Sequence, residues 1–342
     1  NGIKFFSEHG MKLSAEVEEE IEARLAEPLE WGLPTGAGVG GAADIAEAHE
    51  RYVDHLLATI DRLDGLKVVL DCAFGAAWEL APRAFWRAGA EVVALHAEPD
   101  GARINVDCGS TAMESVARAV VAEGAHVGFG FDGDADRVLA VDERGQILDG
   151  DRILALLALA LHGNGALPGN VIVATVMSNL GFRRALEQRG IEIVAAPVGD
   201  KFVVEAMLER SAILGGEQSG HIIFGRHAAT GDGILAALQV AQCTVSDAGA
   251  LSKITSLYSS WPQVLVNVRV ASNEGLEQHE ELWREVADAE TALGDEGRVL
   301  LRASGTEPVV RVMVEASEEA RARATAHRLA NTVRRHLGNN SR

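Results

Sequence analysis

Three carboxylates alternate along Asp132-Gly133-Asp134-Ala135-Asp136, and Arg137 follows them. Two such charges about 4 Å apart repel by roughly 4 kcal/mol at an effective dielectric near 20, so a segment holding three together calls for a cation. Carboxylate oxygens are hard ligands that suit magnesium or calcium better than zinc. Arg137 adds a planar fork fit to hold a phosphate oxygen beside a metal. The plain alternative is an acidic turn in water. A helix–loop–helix calcium site is a second alternative, because Glu143 falls at the twelfth position of such a loop. It fails because Arg137 stands where the sharp turn needs glycine, and apolar strand-like runs flank the segment.

Two further segments could bind small polar molecules. Gly215-Gly216-Glu217-Gln218-Ser219-Gly220-His221 lies between two short apolar runs. Its glycines let backbone approach a ligand, and Glu217, Ser219 and His221 offer acceptors and donors at alternate positions. That suits sugar hydroxyls, although a tight hairpin with a solvated glutamate would look similar. Arg302-Ala303-Ser304-Gly305-Thr306-Glu307-Pro308, with Arg311 beyond, gathers two guanidiniums and two hydroxyls around a glycine. This is an anion cradle on a very acidic chain; solvated arginines at a strand turn are the bland reading. Asp200 and Lys201, after Gly199 at a strand-to-helix junction, are weaker candidates, since Asp200 could simply cap the helix. For Thr230-Gly231-Asp232-Gly233 a helix cap is the better reading.

These loops need elements to hold them. Short apolar runs at 67–71, 91–95, 126–131 and 138–142 alternate with helical patterns at 76–88 and 113–122. The rhythm resumes with helices at 152–162, 180–188 and 201–208 and strands at 170–175 and 191–195. Such alternation predicts βαβ units and mainly parallel sheets. Two acidic helices precede them, at 14–26 with Ser14 as N-cap and at 44–63. Toward the end Val264, Val266, Val268 and Val270, and then Val310, Val312 and Val314, alternate with polar residues, the pattern of half-buried antiparallel strands. A closing helix places Ala322, Ala326, Leu329 and Val333 on one face. The expected fold class is α/β: tandem α/β domains with mainly parallel, mixed sheets around a cleft, plus a C-terminal α+β domain. The expected boundaries are 1–45, 46–149, 150–258 and 259–342.

The 342 residues carry 31 Lys and Arg against 50 Asp and Glu, a formal charge of -19. That field repels nucleic acid and anionic membranes, so neither is an expected partner. Cys72, Cys108 and Cys243 are widely spaced with no CxxC, which points to a reducing compartment and to neither a zinc site nor a disulfide framework. No apolar run reaches the roughly 18 residues of a membrane span.

Taken in order, the acidic, sugar and phosphate loops resemble the α-D-phosphohexomutase superfamily over essentially the whole chain. Asp100-Gly101, Asn105, Cys108-Gly109-Ser110-Thr111 and the segment from Gly215 to His221 are similar to its glucosamine-phosphate branch. The resemblance implies an isomerase that interconverts glucosamine 6-phosphate and glucosamine 1-phosphate through a bisphosphorylated sugar. Related mutases of mannose or glucose phosphates, and a non-catalytic phosphosugar binder, are the rivals. It implies Mg2+ on Asp132, Asp134 and Asp136, and a glucosamine or glucose 1,6-bisphosphate activator. It implies sugar contacts from Glu217, Ser219 and His221, and phosphate contacts from Arg302, Ser304, Gly305, Thr306 and Arg311. Lys4 and Arg137 would act near the transferred phosphate. A cytoplasmic location and room for a homodimer also follow from the resemblance. The chain opens at Asn1, just past where the family keeps its phosphoserine loop, so residues 1–45 are expected to be the remnant of a first domain. Ala135 stands where the family usually has glycine.

Overall fold

The computed structural model of the chain describes residues 5–8, 10–27, 33–41, 46–247, 250–272, 276–304 and 307–338. In chain order the helices and strands are α1 (Ala15–Ala26), α2 (Ala46–Leu57), β1 (Lys67–Asp71), α3 (Ala77–Ala88), β2 (Glu91–Leu95) and α4 (Glu114–Glu123). Next come β3 (Val127–Phe131), β4 (Val138–Asp142), β5 (Ile147–Leu148), α5 (Gly150–Gly163), β6 (Val171–Thr175), α6 (Leu180–Glu187) and β7 (Glu192–Ala196). Then follow α7 (Asp200–Arg210), β8 (Leu214–Gly216), β9 (Ile222–Phe224), α8 (Gly233–Ser246) and α9 (Ala250–Thr255). The last are β10 (Gln263–Arg269), α10 (Glu280–Leu293), β11 (Gly297–Ala303), β12 (Val309–Ala316) and α11 (Glu319–Leu337). Among the described residues no helix is long and apolar enough to cross a membrane.

The chain divides into two compact units that do not follow simple chain order. Residues 1–175 and 191–255 form the first, and 176–190 with 256–342 form the second.

The first unit contains two mixed sheets. One has the order β2-β1-β3-β4-β5, parallel through β1, β2 and β3, with β4 and β5 turned back. The other has the order β7-β6-β8-β9, parallel except for β9. β3 and β6 are buried at every position, as expected of central strands covered on both faces. β2 and β7 lie at sheet edges and are partly exposed. The two sheets share one unit because α8 packs against β3, β4, β9 and α5. Its sequence is apolar around most of its circumference, and residues from Ile234 to Leu238 are all buried, as a fully enclosed helix requires. Asp232 caps it by accepting from the Leu235 amide at 2.9 Å, so the cap reading of that segment holds. The Tyr52 hydroxyl donates to the same carboxylate at 2.8 Å. Helix α2 stops at Leu57, short of the expected 63. The Ser14 side chain accepts from Val17 at the start of α1, as the sequence predicts.

The second unit is an antiparallel sheet of order β10-β12-β11, with α10 and α11 packed on it. Ala322, Ala326, Leu329 and Val333 are fully buried, matching the expected face of the closing helix. β12 departs from the half-buried expectation, because Met313 and Glu315 are buried as well as Val310, Val312 and Val314. It is the central strand, and the 176–190 segment lies against Glu315. The Leu180 amide donates to Glu315 at 3.0 Å. Arg298 pairs with the same carboxylate and donates to the carbonyls of Val176 at 2.9 Å and Ser178 at 2.6 Å. A buried acid with these donors is satisfied, which lets a polar residue sit inside the unit.

Candidate functional site

The acidic loop is the hairpin between β3 and β4. Asp132, only 1% exposed, follows the buried end of β3. Its Oδ1 accepts from the Arg137 amide at 3.1 Å, and its Oδ2 from Arg137 Nε at 2.8 Å. One oxygen from each of Asp132, Asp134 and Asp136 lies within 4.8 Å of the others. Burial, and next the charge of Asp136, push the Asp132 pKa up to about 6 despite Arg137. Three hard oxygen donors with their charges crowded in this way fit a divalent cation of the magnesium class. Arg137 is expected from its sequence context to hold a phosphate oxygen; here its guanidinium lies on Asp132, with Asp136 3.5 Å from Nε. Ala135, at the turn, takes a left-handed φ of 60°, which costs a side chain about 1–2 kcal/mol.

The sugar loop is joined directly to this hairpin. Arg137 and His221 form an antiparallel bridge, and the Val138 amide donates to the Gly220 carbonyl at 3.0 Å. His221 is therefore carried next to the acidic loop, with Nε2 3.8 Å from Asp136 and 3.6 Å from Asp200. Its ring is buried, and neither nitrogen has a hydrogen-bond partner. Burial lowers its pKa and outweighs the opposing pull of Asp136 and Asp200, so the imidazole is neutral at pH 7. Gly231 makes room for it: a Cβ there would fall 2.4 Å from Nε2.

Asp200 does more than start a helix. It is the first residue of α7, where Gly199, at a φ of 128°, occupies the cap position. Its Oδ1 accepts from the Lys201 amide at 2.8 Å, and its other oxygen pairs with Lys12. Burial by itself would raise the Asp200 pKa, but the hydrogen bond and charge of Lys12, with smaller help from its other neighbours, bring it below the ordinary value. Glu217, expected at the sugar, accepts the Gly199 amide at 3.0 Å through Oε1 and so ties the two loops together. Ser219 is exposed. Lys12, Asp200, Lys201, Glu205 and Thr230 line a cavity of about 270 Å³. A second cavity of about 440 Å³ is lined by Tyr52, Asp134, Asp136 and Gly231 among others. The sequence offered no signal for Lys12, a single lysine in an unpatterned stretch. Only the short pairing of Phe6 with Lys12 delivers it.

In the second unit, Arg302 on β11 and Arg311 on β12 are directly opposite each other across the ladder. Burial, and then the charge of Arg311, lower the Arg302 pKa. The Arg311 Nε is buried without a partner. Like charges placed opposite each other on a sheet are destabilising, so the pair makes sense as a waiting anion site. Ser304 is buried at the end of β11, and its amide donates to the Val309 carbonyl at 2.8 Å. Gly305, Thr306 and Lys4 lie outside the described residues.

Three family models match the chain in succession. They are phosphoglucomutase/phosphomannomutase alpha/beta/alpha domain II over residues 50–145, alpha/beta/alpha domain III over 149–261, and the C-terminal domain over 265–332. The chain belongs to the phosphoglucomutase/phosphomannomutase family. A relative from Frankia casuarinae named phosphoglucosamine mutase is 53% identical over 335 residues, covering 98% of this chain and 73% of the relative. One of the same name from a Nocardioides species is 52% identical over 338 residues, covering 98% and 75%. Among solved structures, a phosphoglucomutase/phosphomannomutase family protein from Burkholderia thailandensis superposes with a TM-score of 0.76. It has 24% identity and covers 95% of this chain and 71% of that one. The N-acetylphosphoglucosamine mutase of Aspergillus fumigatus, solved with GlcNAc-6P and magnesium, gives 0.67 at 22% identity, covering 90% and 72%. Within this phosphohexomutase fold the acidic, sugar and phosphate loops fall in matched domains II, III and C-terminal, respectively.

Proposed function

We propose that the protein is a phosphoglucosamine mutase, interconverting glucosamine 6-phosphate and glucosamine 1-phosphate through a bisphosphorylated sugar. The observation that carries the chemistry is the docking of the acidic loop on the glycine-rich loop through the Arg137–His221 bridge. It sets a crowded carboxylate cluster beside a buried neutral imidazole and two cavities. The sugar is assigned from the 53% and 52% identity to relatives of that name.

In this reading Asp132, Asp134 and Asp136 hold Mg2+, which supplies charge stabilisation to a phosphoryl group in transfer. Arg137 keeps the buried Asp132 charged and oriented and presents its remaining N–H donors to phosphate. Glu217 and Ser219 contact sugar hydroxyls. His221, held neutral, accepts or donates a single hydrogen bond without adding charge. Arg302, Ser304, Gly305, Thr306 and Arg311 take the phosphate that is not reacting. Lys12 and Lys4 add positive charge on the phosphate side. The bisphosphate intermediate must present either end in turn, which is why one cradle grips phosphate independently of the chemistry. A 1,6-bisphosphate of glucosamine or glucose acts as activator by priming that cycle.

The test is turnover of the full encoded protein on the phosphates of glucosamine, glucose and mannose, each with Mg2+ and 1,6-bisphosphate. The glucosamine phosphates should show the highest kcat/KM. Faster turnover of a glucose or mannose phosphate would move the assignment to another branch of the family.

A further inference from the structure

A second group of ligand-type side chains stands beside the acidic loop, at the same C-terminal ends of the parallel strands but toward β1 and β2. Asp71 ends β1, and His96 follows β2 directly. These strands are parallel neighbours with Asp71 opposite Leu95, so adjacent strand ends deliver the carboxylate and the imidazole side by side. Cys108 arrives from the long connection after β2. An oxygen of Asp71, a ring nitrogen of His96 and the Cys108 sulfur all lie within 4.8 Å of one another. Asp71 and Cys108 are fully buried, while the His96 side chain is 30% exposed and opens the cluster to solvent.

The backbone around the cluster is held in costly conformations. Ala73, Phe74, His96, Asn105 and Asp107 have φ between 48° and 60°; they are five of the eight non-glycine residues with positive φ among those described. At Ala73 and Phe74 this costs about 1–2 kcal/mol, whereas His96, Asn105 and Asp107 are of types that adopt it more readily; strain of this kind collects at functional sites. The side chains are also braced. His96 Nδ1 is 2.9 Å from Asp71 Oδ2, the Ala73 amide donates to Oδ1 at 2.9 Å, and the Phe74 ring lies 4.8 Å from the His96 ring. The Arg103 guanidinium covers Phe74 at 3.9 Å. The Cys108 sulfur makes a long contact, 3.8 Å, to the Arg103 carbonyl and is approached by the backbone amides of Asn105 and Val106.

We propose that Asp71, His96 and Cys108 form a cation site for a thiophilic divalent metal of the zinc class, distinct from the all-oxygen acidic loop. The donor set decides the class: one sulfur, one nitrogen and one oxygen suit zinc and its neighbours and do not suit magnesium or calcium. Bond lengths of about 2.0–2.3 Å put ligand atoms roughly 3.3–3.8 Å apart around such an ion. The widest gap therefore needs to close by about 1.5 Å at most, while His96 Nδ1 and Asp71 Oδ2, 2.9 Å apart, would open slightly. Three protein ligands leave a fourth position open, toward the exposed side of His96. Without a cation, burial and the Asp71 charge push the Cys108 pKa up and keep the thiol protonated; metal binding releases that proton.

The loops that carry the cluster also back the acidic loop. The Ala76 amide donates to the Gly133 carbonyl at 2.9 Å. A Cβ on Gly109, next to Cys108, would fall 2.1 Å from the Phe131 carbonyl oxygen. A metal held here would stiffen the wall against which Asp132 is presented.

Cobalt(II) is the probe, because a thiolate–cobalt charge-transfer band in the near ultraviolet cannot arise at an all-carboxylate site. The 342-residue chain should show the band, saturating at one equivalent. It should persist in Asp132→Asn/Asp134→Asn, Cys72→Ser and Cys243→Ser, and vanish in Cys108→Ser. Zinc affinity, read by competition with a chromophoric chelator, should fall roughly a hundredfold or more in Cys108→Ser and in the partly exposed His96→Gln. That exceeds the 10- to 100-fold effect of losing a mere supporting partner. Near-ultraviolet circular dichroism reports that each variant is folded. No band in folded wild-type protein at saturating cobalt overturns the proposal, as does a band that survives Cys108→Ser or zinc affinity unchanged in His96→Gln.

Discussion

The acidic hairpin of the first unit and the arginine hairpin of the second are built on the same physical device with opposite sign. Each places like charges side by side. In the first, burial and then the charge of Asp136 raise the Asp132 pKa to about 6, and Arg137 offsets only part of that rise. In the second, Arg302 and Arg311 face each other across a ladder, and among the described residues neither is in an ion pair. The contrast within the second unit is sharper still. Four positions along β12 from Arg311, Glu315 is fully buried with Arg298 and an amide donor. Paired buried charge there secures the fold. Arg302 and Arg311 have no such ion-pair partner among the described residues, which is what the proposed anion site would require.

If that distinction is right, replacing Asp132, Asp134 and Asp136 together by Asn should remove the magnesium-binding heat in calorimetry while the protein remains folded. Unchanged heat would place the cation elsewhere.

The two arginine types should separate next. Arg298→Ala leaves Glu315 buried without its partner and should cost about 3–5 kcal/mol in denaturant unfolding. Arg302→Ala should leave stability unchanged or slightly higher, since it removes a repulsion. It should nevertheless weaken hexose-phosphate binding roughly 10- to 100-fold, the worth of about 1.5–3 kcal/mol for a charge-assisted hydrogen bond. Equal stability losses in the two variants would erase the contrast.

The pH dependence tests the acidic side alone. The ligand form of Asp132 is the carboxylate, and its folded pKa lies above the ordinary value near 3.8. Magnesium affinity should thus be fully present above about pH 6 and decline by up to about tenfold per unit below it. Metal-free protein should show the opposite sign, losing stability as pH rises from about 4 through 6, because the raised pKa favours the protonated folded state. An affinity flat from pH 7 to 5 would contradict the crowding.

The smallest effect concerns Ala135. Its left-handed backbone is strained, so Ala135→Gly should raise thermal stability by up to about 1 kcal/mol, less what is lost to the freer unfolded chain. A clear loss of stability would mean the turn is held by the alanine methyl.

The three loops were legible because each concentrates unusual chemistry in a few adjacent residues: alternating carboxylates, glycines around polar groups, or arginines with hydroxyls. The βαβ rhythm was legible for a similar local reason, since strand and helix periods show within a single element. α10 and β11 were not assigned from the sequence, although the buried Leu282, Val286, Ala289 and Leu293 of α10 recur at helical spacing.

Tertiary structure decided the rest. Lys12 meets Asp200, and His221 meets Asp136, across separations in sequence that no local pattern encodes. The 176–190 segment leaves its chain neighbours for the second unit because Glu315 and Arg298 satisfy its backbone. The Asp71, His96 and Cys108 cluster was invisible in the sequence for the same reason: parallel strand ends bring His96 to Asp71 from 25 positions away, and the long connection after β2 brings Cys108 from 37. Sequence alone determined which chemistries the chain carries. Which of them share a site depended on register and long-range packing, which are set by the whole sheet rather than by any one of its strands.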